Sequence, residues 1–101
     1  MIFTQLITPD EMAREIARRA REKRLSFNLS QHSLSERSGV SLGVIKKFEQ
    51  TGLISVKSLL KLSLVLESLA DFAKLFQPVP ESQFPTLDAL IKQKKRKRGR
   101  Q

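Results

Sequence analysis

Lys46 and Lys47 stand side by side, with Gln50 one helical turn further on and Ser41, Leu42 and Gly43 just before them. Ammonium and carboxamide groups donate hydrogen bonds to anions and to the acceptor-rich edges of bases, and guanine O6 and N7 suit a lysine. Gln31 suits a phosphate or an adenine edge. Ser30, Ser33 and Ser41, with backbone N–H groups at helix starts, suit phosphate oxygens. Leu42 offers only apolar contact, most simply to a thymine methyl. Gly43 offers closeness, because a backbone without a side chain lets another surface approach. The plain alternative for Lys46 and Lys47 is a solvated helix face. His32 is read as a simple surface residue.

Other chemistries lack their residues. The chain has no cysteine, tryptophan or tyrosine, and His32 is its single histidine. A zinc site, a disulfide framework, a Ser-His-Asp triad and a cysteine nucleophile are therefore excluded as readings. The acids are scattered over helix starts and exposed faces, not paired for acid–base work, so an enzyme is not expected. No cofactor or metal is expected either. No apolar run reaches the roughly 18 residues of a membrane span, and no signal peptide is apparent. The expectation is a cytoplasmic chain without a membrane partner.

Charge is unevenly spread. Lysine and arginine total 19 against 10 acids, a net charge of +9. Seven of those cations fall in the last ten residues, "KQKKRKRGRQ": Lys92, Lys94, Lys95, Arg96, Lys97, Arg98 and Arg100. A nearly balanced body with a cationic tail points to a polyanion, with nucleic acid first. The tail's competing roles are a minor-groove arm, a clamp on an acidic partner protein and an RNA-binding segment.

At 101 residues the chain is one small domain whose core is marginal, and dimerisation would help it. The spacing divides it into an arm or strand at 1–7, a helical domain at 8–76, a Pro-rich linker at 77–85, and a short helix with a disordered basic tail at 86–101. "MIFTQLI" reads either as a strand pairing across a dimer or as an extended arm. Thr8, Pro9 and Glu11 announce the first helix through a capping box. Met12, Ala13, Ile16, Ala17 and Ala20 form its apolar face, and Asn28 is a left-handed stop. Ser30 caps a second helix, Gly39 stops it, and Ser41 caps a third that ends at Thr51-Gly52. Ser55 caps a fourth over "VKSLLKLSLVLE", apolar at Val56, Leu59, Leu60, Leu62 and Leu66 and in part all round, and so central to the core. Ser68 and Asp71 are expected to cap a fifth, "LADFAKLF". The fold class is all-α with five helices. Thr86 would cap a sixth short helix with Leu87, Leu90 and Ile91 as its apolar edge.

The pattern Gln31, Leu34, Ser35, Gly39, Val40, Ile45, Phe48 and Glu49 resembles the helix-turn-helix of the XRE (Cro and phage-repressor-like) family. The resemblance covers roughly residues 8–76. A small residue is needed at Ser35 where two helices cross, Gly39 supplies a positive φ, and Leu34, Val40, Ile45 and Phe48 fill the wedge between helices. Ser35 replaces the family's more usual alanine. Ser38 stands where an apolar residue is usual, so the expectation is either looser local packing or a hydroxyl that bonds back to its helix. The bland alternative is a helical bundle, since two helices with a glycine turn are common.

The resemblance implies a sequence-specific DNA-binding transcription regulator, a repressor acting as a homodimer on a pseudo-palindromic, double-stranded operator. It assigns the reading face to Leu42, Gly43, Lys46, Lys47 and Gln50. It also implies a buried ion pair between Arg24 and Glu49; the alternative is a solvated Arg24 at a helix end. The opening "ITPDEMAREIARRAREKR" is similar to HipB-like antitoxins, which repress their own toxin–antitoxin operons and bind HipA-type kinase toxins. That implies a bacterial or phage cytoplasm, near the nucleoid. Two alternatives stay open: a stand-alone repressor without a toxin, and a less sequence-specific nucleic-acid-binding module driven by the tail.

Overall fold

The computed structural model describes residues 7–80. Four α-helices follow in order: α1 (Pro9–Ser26), α2 (Gln31–Ser38), α3 (Leu42–Thr51) and α4 (Val56–Val65). A 3-10 segment, Leu69–Lys74, closes the described chain, which contains no strand. The expected N-terminal strand, the helix from Thr86 and the basic tail lie outside these residues. No described helix is long and apolar enough to cross a membrane.

Each helix starts on a side chain that satisfies a backbone N–H left without a helical partner. Thr8 and Glu11 form a reciprocal capping box, with Oγ1 accepting from Glu11 N–H at 3.1 Å and the Glu11 carboxylate accepting from Thr8 N–H at 2.9 Å. These bonds, the backbone N–H of Thr8 foremost and then its hydroxyl, hold the Glu11 carboxyl below its usual range. Ser30, Ser41 and Ser55 accept from the N–H groups of Ser33, Val44 and Ser58.

The helix ends follow from left-handed residues. Asn28, at φ 59°, terminates α1, with Leu29 N–H donating back to the Arg24 carbonyl and Asn28 N–H to that of Leu25. That is a Schellman closure. Gly39 and Gly52 end α2 and α3 at φ 79° and 84°. A second Schellman closure ends α4 at Val65, two residues short of the expected Glu67. Glu67 itself turns left-handed at φ 57°, and Ser68 N–H reaches the Ser63 carbonyl at 2.8 Å.

The expected fifth α-helix is the 3-10 segment. Ser68 makes no side-chain cap; its hydroxyl instead donates to the Leu66 carbonyl at 3.1 Å, at the end of α4. Asp71 N–H goes to the Ser68 carbonyl and Leu75 N–H to that of Phe72, the tighter three-residue pattern. With the cap spent on the preceding helix, the anticipated Ser68–Asp71 pair does not form.

The core is Ala17, Leu29, Leu34, Val40, Ile45, Phe48, Leu62 and Leu66, flanked by Ile16, Ala20, Phe27, Ile54, Leu59 and Val65. α1 packs chiefly on α3, while α2 touches both α3 and α4. α4 buries one face only. Leu62, Ser63 and the capping Leu66 are inside, yet Val56 is 71% and Leu64 64% exposed, so Val56 is not the core residue its spacing predicts. The close approach of α1 to the end of α3 explains Gly52: a Cβ there would sit 2.8 Å from the Ala13 carbonyl carbon.

Candidate nucleic-acid interface

The α2–turn–α3 unit is fixed by polar bonds as well as by its apolar wedge. Leu34, Val40, Ile45 and Phe48 are buried between the helices. Gly39 makes the turn. Two serines of α2 satisfy the Val40 backbone. The Ser35 hydroxyl donates to the Val40 carbonyl at 2.6 Å, and Val40 N–H donates to Ser38 Oγ at 3.1 Å. Ser38 therefore bonds forward across the turn, not back into its helix as expected. Ser35, in place of a residue without a donor, ties α2 to the residue that starts the next element.

Behind α3 sits a buried charge cluster. Arg24 donates from Nε to Glu49 Oε2 at 2.8 Å and from Nη2 to Oε1 at 3.0 Å. Its Nη1 donates to the Leu29 carbonyl at 2.8 Å. Both side chains are nearly solvent-free, at 7% and 5% exposure. Gln31 adds an amide N–H to Glu49 Oε1 at 2.9 Å, and Arg21 stands 4.0 Å from the same oxygen. Among the described residues no buried side-chain nitrogen or oxygen lacks a partner. The cluster ties the end of α1, the start of α2 and the last turn of α3 to one carboxylate. A bidentate arginine fixes geometry as well as charge.

This placement changes the role of Gln31. Half-buried, with an amide N–H committed to Glu49, it acts as a buttress under α3. Ser33 is likewise half-buried; its backbone N–H and hydroxyl are both bonded to Ser30 Oγ, at 2.9 and 3.1 Å. Ser30 is exposed at the N-terminus of α2.

The outward face of α3 follows from its period of about 100° per residue. Ile45, Phe48 and Gly52 point to the core, so Gly43, Lys47 and Gln50 form the middle of the opposite stripe. Lys46 flanks it on one side and Val44 with Thr51 on the other. Lys46, Lys47 and Gln50 are exposed, and no acid of α3 shares this face. Leu42, expected on the reading face, is half-buried. The exposed apolar residue of the first turn is instead Val44, at 37%.

The N-terminus of α3 has no acid in its first turn, and neither do those of α2 and α4; α1 carries Asp10 and Glu11 in its own. Helix starts carry partial positive charge, which Asp10 and Glu11 offset at α1. At α3 the Val44 N–H is capped by the exposed Ser41, which leaves the first backbone donors facing outward. On α1 the picture differs again. Glu15 binds both Arg18 and Arg19, and Arg18 also binds Glu22, so those guanidiniums are neutralised locally. Hydrogen bonds from Arg18 first and Arg19 second pull the Glu15 carboxyl down to about 2.

The seven basic tail residues lie outside the described part. Among the described residues there is no group of three or more histidines and acids placed to hold a metal ion. Comparison with protein-family models, with characterised proteins and with solved structures gave no match.

Proposed function

We propose that this chain is a sequence-specific, double-stranded-DNA-binding transcription regulator of the XRE helix-turn-helix type. It would act as a homodimeric repressor on a pseudo-palindromic operator in the cytoplasm. The observation that carries the reading is the outward face of α3. Lys46, Lys47 and Gln50 are exposed on an acid-free stripe of a helix that a glycine turn and a buried Arg24–Glu49–Gln31 cluster hold against α1 and α2. A reading helix must be held rigidly, because a base-edge contact is lost when the helix tilts by a fraction of its width. Lys46 and Lys47 would donate to guanine edges, Gln50 to a neighbouring base, and Ser30 and Ser41 with the helix-start N–H groups to phosphates.

A second reading, less specific nucleic-acid binding, is favoured by one observation, the concentration of cations in residues 92–101. Selection from a randomised duplex pool separates the two. Enrichment of a two-fold-symmetric sequence is expected, with affinity falling steeply as salt rises. Binding without sequence preference, or tighter binding to single-stranded RNA than to duplex, would overturn the first reading in favour of the second.

A further inference from the structure

Three glycines of the described chain can be compared by what a side chain would meet. Gly39 and Gly52 are required from within, the first by its positive φ and the second by both its φ and the Ala13 backbone. Gly43 is not. Its φ is not positive, and a Cβ built on it meets nothing within 4 Å. It occupies the centre of the outward stripe, in the first turn of α3, where alanine is the better helix former. Among the described residues nothing calls for a glycine there. Beside it, Val44 exposes a branched apolar side chain at the edge of a face that is otherwise cationic.

We infer that the first turn of α3 reads thymine 5-methyl groups through Val44, with Gly43 left bare so that the helix backbone can close on the duplex. This rests on the DNA-binding reading above and gives it a ligand chemistry. In the major groove the methyl of thymine is the one apolar feature a base pair presents. A lysine pair reaches past the helix surface to guanine; a valine is short and touches a methyl only if the backbone comes near. Gly43 supplies that clearance, and without it Val44 is held off by one methyl radius. The two neighbours therefore work as a unit, and each half-site should contain thymine at a fixed step from the guanine that the lysines engage.

The test uses the full-length protein and the duplex enriched from a randomised pool. Replacing each thymine in turn by uracil removes one methyl group and no hydrogen-bonding atom. At one position per half-site the affinity should fall about fourfold, the worth of one buried methyl-sized group. Val44→Ala should erase that difference between thymine and uracil duplexes. Gly43→Ala should leave the melting temperature equal or higher, yet weaken binding to the thymine duplex at least tenfold. Equal affinity for every uracil duplex would overturn methyl reading while leaving DNA binding intact. Unchanged binding by Gly43→Ala would overturn the clearance role. Failure of any duplex to enrich would remove both the inference and the reading beneath it.

Discussion

The two sides of this small domain are held together by different means. On the α2–turn–α3 side, apolar packing is reinforced by directed bonds: Ser35 and Ser38 on Val40, Gln31 and Arg24 on Glu49. On the α4 side, Ser63 bonds only within its own helix, and Leu53, Val56, Leu64, Leu69, Leu75 and Phe76 are left exposed. An open, mostly apolar groove runs between α1, α4 and the 3-10 segment, past Met12, Ile16, Leu59, Leu66 and Leu75. Directed bonds fix an angle; apolar contact fixes only proximity. The first side is built to hold a helix at one orientation, and the second to bury area.

The largest break in that contrast is expected at Glu49. Glu49→Ala strands the buried Arg24 guanidinium and should cost about 3–5 kcal/mol, read as a lost or strongly lowered melting transition. Replacing Arg24 and Glu49 together by Met and Leu should recover much of that loss, because no charge is left unpaired. If the single and double variants melt alike, the cluster is not what holds α1 to α3.

Gly52→Ala tests the close approach of those same helices. Left-handed backbone alone costs a non-glycine residue roughly 1–2 kcal/mol, and the contact with the Ala13 carbonyl adds to it. Gly39→Ala should cost only the first part, so Gly52→Ala should be the more damaging of the two in denaturant titration.

Ser35→Ala leaves the buried-side Val40 carbonyl without its donor and should cost about 1 kcal/mol by chemical denaturation. On the other side, exposed Leu64→Ser should change monomer stability by under about 0.5 kcal/mol. If the domain dimerises through α4, the melting temperature of the parent chain would instead fall with dilution, and that same substitution would lower it toward a concentration-independent value.

The smallest effect concerns the exposed Glu15 network on α1. Its folded-state pKa is depressed to about 2 against an ordinary 4.5, so its contribution is present above the ordinary value and is lost as pH falls toward 2. Glu15→Gln should lower the melting temperature slightly at pH 7 and match the parent chain near pH 2. It should leave the α2–turn–α3 unit untouched.

Much of this was legible in the sequence wherever the deciding bond is local. Thr8 with Glu11, Ser30, Ser41 and Ser55 each act on an N–H three residues on, and Asn28, Gly39 and Gly52 stop helices through their own φ. The Arg24–Glu49 contact spans 25 positions, and only a resemblance implied it, since spacing alone left a solvated arginine open. The proposed reading face was legible in its lysines and Gln50 but not in its apolar member, because Leu42 and Val44 are both hydrophobic and only the packing of α3 says which is the more exposed.

What the chain determines by itself is therefore the placement of helices α1 to α4 and of the two glycine turns. Their signals are side-chain caps and left-handed residues, acting within a few positions and indifferent to what packs above. Tertiary structure alone decided that Gln31 faces Glu49, that a side chain at Gly52 would meet the Ala13 backbone and that Val44 is exposed. Each of those outcomes depends on which element lies against the residue, and that is set by the joint burial of eight distant side chains and by a single carboxylate shared among three helices.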